Sequence, residues 1–200
     1  MITIANFGVG NFASIANMLI YLGIEVEVLD SPKMAGNTTH LILPGVGAFD
    51  TGMDLLVKSG WKSAIEDLSS SVNILGICLG MQLLTHGSEE GNRSGLGLID
   101  AKCFRFDSKE SSVPHMGWNQ VRQDSRHPLW DGIPDLTSFY FVHSYYVVPQ
   151  RKEDSAGSTE YGNWFTSAVA RDNIFATQFH PEKSAEYGLK LYQNFVSWQP

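Results

Sequence analysis

Two hundred residues with 43% hydrophobic content suit one compact α/β domain, residues 1–200, with a full core. The formal charge is −7 and the 14 Lys and Arg form no cluster, which argues against a nucleic-acid surface. No apolar run approaches the ~20 residues of a membrane span. The N-terminus lacks the basic segment and apolar core of a signal peptide, so a cytoplasmic setting without membrane attachment is expected. Cys78 and Cys103 are the only cysteines, too few for a disulfide framework. The six histidines show no metal-ligand spacing, so neither metal nor cofactor is expected.

Met1 to Ala5 predicts a short strand running into Asn6-Phe-Gly-Val-Gly-Asn11. Asn11 then serves as N-cap for a helix carrying Ile15, Met18, Leu19 and Leu22 and closed by Gly23. Strand, glycine turn and helix invite a dinucleotide site, but the third glycine and the ribose-binding acid are not placed for one. Ile24, Val26 and Val28 alternate with Glu25 and Glu27, as in a strand exposed on one face. After a polar link from Ser31 to Thr39, His40 to Leu43 predicts a strand ending at Pro44-Gly-Val-Gly47. Two glycines there allow backbone N–H groups to turn toward a ligand, although an ordinary βα turn has the same pattern. Residues 48–68 read as helical pieces broken at Gly60.

The most informative stretch is Ile74-Leu-Gly-Ile-Cys78-Leu-Gly-Met-Gln82. An apolar strand from Val72 to Ile77 ends at Cys78, and Leu79, Met81, Leu83 and Leu84 start a helix at once. Gly76 and Gly80 flank the cysteine where a strained strand-to-helix elbow tolerates no bulk. A thiolate at such an elbow sits at a helix N-terminus, and the Leu79 amide can donate to a developing oxyanion. A buried structural cysteine is the competing reading. Gln178-Phe-His180-Pro-Glu182 tips the balance. Ile174 to Phe179 alternates as a strand, Pro181 stops it, and a histidine there can act as base with Glu182 fixing its tautomer.

Between these motifs, Gln82 lies one helical turn beyond Cys78, and Ser88-Glu-Glu90 reads as a charged loop. Gly95 to Asp107 and Trp118 to Arg122 predict strands of an antiparallel extension, with His115-Met-Gly-Trp-Asn119 as a recognition loop or a local packing cluster. Phe139 to Val148 predicts one strand containing His143-Ser-Tyr-Tyr146. Residues 149–163, polar and rich in Gly and Ser, predict a mobile hairpin loop. Trp164 to Ala170 predicts a strand. Ser184 should cap a last helix, to Trp198, that buries Leu189, Tyr192, Phe195 and Val196. Strands alternating with helices over the first half predict a mainly parallel sheet flanked by helices, with functional groups at the strands' carboxyl ends.

The two motifs in this order resemble the class I (triad) glutamine amidotransferases over essentially the whole chain, Ile2 to Trp198. Pro44-Gly-Val-Gly47, His115-Met-Gly-Trp-Asn119 and His143-Ser-Tyr-Tyr146 narrow the resemblance to the glutaminase subunits of imidazole glycerol phosphate synthase, the HisH family. The resemblance implies a flavodoxin-like fold and a Cys78, His180, Glu182 triad acting on L-glutamine. It implies Val46 and Leu79 amides as oxyanion hole, and Gly47, Gln82, Glu90, Ser144 and Tyr145 as substrate contacts. Asn11, Ser14, Met116, Trp118, Asn119 and Lys183 would meet a HisF-like (β/α)8 cyclase subunit in a heterodimer, and the oxyanion peptide would turn only when that partner binds. The family pattern D-Y-G-x-G-N departs here to Asn6 and Phe7, in a loop that faces the partner in relatives. Alternatives stay open: a paralogue feeding ammonia to a surface-polysaccharide sugar, a free-standing cysteine hydrolase, or a non-catalytic binding module.

Overall fold

The structure, a computed structural model, describes residues 1–200, the side chains of residues 34 and 35 excepted. Strand β1 (Ile2–Ala5) leads to helix α1 (Phe12–Tyr21), which closes at Leu22 and Gly23, where φ is +74°. Strands β2 (Val26–Leu29) and β3 (His40–Leu43) follow, then α2 (Phe49–Ser59) and α3 (Trp61–Leu68), divided at Gly60 with φ +82°. The central strand β4 (Asn73–Ile77) feeds the one-turn helix α4 (Leu79–Leu83). Strands β5 (Ala101–Arg105), β6 (His115–Gln123), β7 (Thr137–His143), β8 (Tyr145–Pro149), β9 (Ser155–Tyr161), β10 (Asn163–Arg171) and β11 (Ile174–Thr177) come next, and α5 (Ala185–Ser197) ends the chain.

One sheet runs β2-β1-β3-β4-β11-β10-β9-β6-β7, with β8 bridging β5 and β10. The five strands β2, β1, β3, β4 and β11 pair in parallel and the rest antiparallel. This is the expected flavodoxin-like order with its antiparallel extension. Period-two alternation sorts the strand residues between two cores. Ile2, Ile4, Ile42, Leu75 and Ile77 pack with Ile15, Leu19, Tyr192 and Phe195 from α1 and α5. Leu41, Leu43, Ile74 and Ala176 pack with Phe49, Met53, Trp61 and Leu83 from α2, α3 and α4. Helices therefore cover both faces of the parallel half, as parallel sheets require.

Several sequence expectations are corrected. His115-Met-Gly-Trp-Asn119 is not a loop but the first half of β6, in register with β7. The predicted strand 139–148 is two strands, broken at Ser144. The predicted mobile loop 149–163 contains β9, whose Ala156, Gly157, Ser158 and Thr159 are buried. Its polarity is satisfied internally: Thr159 Oγ1 donates to Ser167 Oγ, and Ser158 donates to Asp124, each at 2.8 Å. Leu191 is buried in α5, whereas Leu189 and Val196 are half-buried. Asn11 and Ser184 occupy the N-cap positions but neither side chain caps; Ser184 Oγ instead donates to the His180 carbonyl and accepts the Tyr140 N–H. Phe7 is 3% exposed and lies in the second core, so its departure from the family pattern is an interior one.

Candidate active site

Strands β3, β4 and β11 are adjacent and parallel, so their carboxyl ends bring Val46, Cys78 and His180 together although they lie far apart in sequence. All three line one cavity of about 450 Å³, with Gly47, Gln82, Glu90, Ser144 and Tyr145. The cavity thus gathers every expected catalytic, oxyanion and substrate residue except Glu182, which stands behind His180. A cavity of this size fits a single amino acid better than a polymer.

Cys78 takes φ +54°, a left-handed conformation that an L-residue adopts only under constraint. The constraint is packing at the two flanking glycines. A Cβ on Gly80 would lie 1.8 Å from the Leu43 carbonyl oxygen, and one on Gly76 would lie 2.8 Å from Leu84 Cδ1. The elbow is therefore a tight crossing of α4 over β3 and β4. Because α4 has only five residues, its dipole gives the sulfur limited help. A direct donor is present instead: Gln178 Nε2 reaches Cys78 Sγ at 3.6 Å, while Gln178 Oε1 accepts from Gln82 Nε2 at 3.0 Å. The motif Gln178-Phe-His contained this residue, but nothing in the sequence distinguished its side chain from a strand residue.

His180 Nδ1 meets Glu182 Oε1 at 2.7 Å, and both side chains are 1% exposed. A carboxylate on Nδ1 leaves Nε2 as the working nitrogen, on the ring edge toward Cys78. Nε2 is buried and no acceptor meets it in hydrogen-bond geometry. Burial alone lowers the imidazole's pKa, but the Cys78 sulfur and the Glu182 carboxylate outweigh it and hold His180 well above its ordinary value. Such a site favours the imidazolium form of His180. Cys103 differs: burial pushes its thiol up to about 12, so it is no nucleophile.

The expected oxyanion donors do not converge. Leu79 N–H donates to the Gly45 carbonyl at 3.3 Å. In a trans peptide the carbonyl and the following N–H point in opposite directions, so the Val46 N–H points away from Leu79. Glu90 is on the cavity wall with its Oε2 accepting the Phe49 N–H at 2.8 Å, which anchors it to the first turn of α2. Gln82 Nε2 also donates to the Tyr145 carbonyl at 3.1 Å, tying α4 to β8.

Of the expected partner-facing residues, Met116 and Trp118 project outward from β6, 65% and 56% exposed. Trp118 meets Tyr140 edge-on, and Lys183 Nζ lies 5.5 Å from the same ring. Tyr140 therefore completes this face, a member that only the β6–β7 register reveals. Asn119 does not share it. Strand alternation turns it to the inner face, where Nδ2 donates to His115 Nε2 and to the Glu160 carbonyl. Asn11 and Ser14 are half-buried at the start of α1. Among the described residues, no three His, Cys, Asp or Glu side chains gather in a way that would hold a metal, and no helix is long and apolar enough to cross a membrane.

Comparison with known proteins agrees with this geometry. The glutamine amidotransferase class-I family model matches residues 3–198. The chain is 48% identical, over 98% of both chains, to imidazole glycerol phosphate synthase subunit HisH 2 of Pseudomonas aeruginosa. It is 44% identical to subunit HisH of Aromatoleum aromaticum, over 100% of this chain and 99% of the relative. Among solved structures it resembles a glutamine amidotransferase (TM-score 0.74, 19% identity, 98% and 97% covered) and PurLQS from Thermotoga maritima (TM-score 0.72, 17% identity, 98% and 97% covered), likenesses of fold. The chain belongs to the class I glutamine amidotransferases and, among them, to the family of the imidazole glycerol phosphate synthase subunit HisH.

Proposed function

We propose that this single-domain chain is the cytoplasmic glutaminase subunit of an imidazole glycerol phosphate synthase and hydrolyses L-glutamine through Cys78, His180 and Glu182. The observation that carries the reading is the buried His180–Glu182 contact at 2.7 Å beside a cysteine held at a strained elbow. The Cys78 thiolate attacks the side-chain amide carbon of glutamine. Glu182 holds the ring so that the His180 imidazolium gives its Nε2 proton to the departing nitrogen, which leaves as ammonia. The neutral imidazole then takes a proton from water, the hydroxide opens the thioester, and glutamate leaves with the sulfur regenerated. Glu90, Gln82, Ser144 and Tyr145 supply the charge and polar groups that a zwitterionic amino-acid end requires, and Gly47 leaves room beside them.

Ammonia released into water is protonated and loses its nucleophilicity, so the subunit must deliver it to an enclosed acceptor site. The proposed recipient is a HisF-like (β/α)8 cyclase subunit, docked on the face that carries Met116, Trp118 and Lys183. There the ammonia turns phosphoribulosyl-formimino-AICAR phosphate into imidazole glycerol phosphate, with AICAR released, in histidine biosynthesis. The test is glutamate release by the chain alone, and with a cyclase subunit and its nucleotide. Turnover that rises on partner addition, with ammonia consumed rather than released, supports the reading. Unchanged turnover points to a free-standing hydrolase, and stimulation only by a sugar-amidating enzyme moves the acceptor to surface polysaccharide.

A further inference from the structure

The wall of the cavity contains one imidazole, His143, that the hydrolytic steps leave unused, and a second, His115, stands behind it. His115 on β6 and His143 on β7 face each other in register, with Nδ1 of His115 3.0 Å from Nε2 of His143. Both ends of the pair are pinned. Asn119 Oδ1 accepts the Gln120 N–H at 2.8 Å and Nδ2 donates to the Glu160 carbonyl at 3.0 Å, which fixes the amide's orientation. The same Nδ2 lies 3.2 Å from His115 Nε2, so that nitrogen is the bare acceptor. His115 Nδ1–H must then donate to a bare His143 Nε2, and His143 Nδ1–H donates to the Tyr145 carbonyl at 2.8 Å. The Tyr145 carbonyl also receives Gln82 Nε2 at 3.1 Å, and Gln82 leads through Gln178 to the Cys78 sulfur.

We propose that His115 and His143 are positioning residues, two neutral rings of fixed tautomer that carry a one-way hydrogen-bond chain from Asn119 to the Tyr145 carbonyl and so set the amino-acid end of the glutamine pocket. This rests on the glutaminase reading. Every donor in the chain has one acceptor, so an added proton on either ring would oppose two N–H groups. The surroundings keep it out: Phe141 and Tyr161 stack on His115 at 4.8 and 3.9 Å, and Phe106 and Phe165 close on His143 at 5.2 and 5.3 Å. Burial accordingly lowers His115 to about 4 and His143 to about 3. The donor end, Asn119, directly follows the exposed Trp118 on the same strand, so contact on the outer face of β6 bears on the pocket through this chain.

Long-range imidazole proton–nitrogen correlation spectra of the 15N-labelled chain read the tautomers directly. Both rings are expected as Nδ1–H at neutral pH. Asn119→Asp offers His115 Nε2 only acceptors, so it should move that proton to Nε2 and break the chain; Asn119→Ala removes the donor more gently. In the complex with the cyclase subunit, Asn119→Asp is expected to raise KM for glutamine about tenfold with kcat within about twofold. A wild-type ring found as Nε2–H or as imidazolium overturns the proposal, as does an unchanged KM in a variant whose His115 tautomer has moved. A wild-type complex without glutaminase activity overturns the function beneath it, and the tautomers, read on the chain alone, tell that failure from the other.

Discussion

The Gly45–Val46 peptide is expected to hold the site in a resting arrangement, and removing its N–H tests this. Leu79 N–H is engaged by the Gly45 carbonyl at 3.3 Å, and the trans geometry aims the Val46 N–H the other way. Turning this peptide over frees one donor and brings in the second. The bond that resists is long and contributes at most about 1 kcal/mol. One oxyanion donor is worth about 10²–10³ in kcat, or about 2.7–4 kcal/mol. Partner contact that keeps the peptide turned over is therefore expected to raise hydrolysis by up to the worth of that donor. Proline at residue 46 has no N–H to offer, and Val46 is 42% exposed, so Val46→Pro sacrifices little packing. Followed by glutamate release, the variant should match wild type within about threefold as the isolated chain and fall about 10²–10³ below it in the complex. Full stimulation of Val46→Pro, or an isolated wild-type chain as fast as the complex, would refute the argument.

Cys78→Ala is expected to abolish glutamine-dependent synthesis by the complex while synthesis from added ammonium salt continues; loss of both would make the cysteine structural. Iodoacetamide at pH 8 should alkylate Cys78 and spare Cys103, whose thiol burial pushes up to about 12, with peptide mass spectra as the readout. Glu182→Gln should cost stability below neutrality: the raised His180 pKa contributes fully below the unfolded value of about 6.5 and is lost as pH rises through the folded one. The melting-temperature gap between variant and wild type should therefore narrow from pH 6 to pH 10. Gly80→Ala places a Cβ 1.8 Å from the Leu43 oxygen, so the backbone must move. A loss of about 3 kcal/mol or more is expected, lowering Tm by about 6–12 °C for a chain of this size.

The elbow and the His180–Glu182 contact were legible because their geometry is local. Glycines two residues either side of Cys78, and a carboxylate two residues beyond a histidine, restrict the backbone within a few bonds. What escaped is set by neighbours across the sheet. Ser158 and Thr159 look like loop residues until Asp124 and Ser167 are found beside them. The resemblance sets Asn119 beside Trp118 on the partner face, yet in a strand adjacent residues face opposite sides, and a loop reading of that segment hides the alternation. Ser184 has the composition of an N-cap, but its hydroxyl ties the Tyr140 amide to the His180 carbonyl, a demand no helix-start rule contains.

The break at Ser144 shows why the unread part is also the part that shapes the substrate pocket. A single strand across residues 139–148 would have committed its backbone groups to ladder pairs. Instead β7 ends against β6 at His143, and β8 begins against β5 at Tyr145, so the chain changes partners at the cavity wall. The Tyr145 carbonyl is thereby left to receive both Gln82 and His143. Catalytic groups ride on the carboxyl ends of parallel strands, where strand direction alone collects them. Two of the groups proposed to recognise an amino acid, Ser144 and Tyr145, come from a seam in the antiparallel half, whose position depends on which strand each residue pairs with. Chemistry in this fold is therefore readable from motifs, whereas the way this wall of the pocket is held is readable only from register.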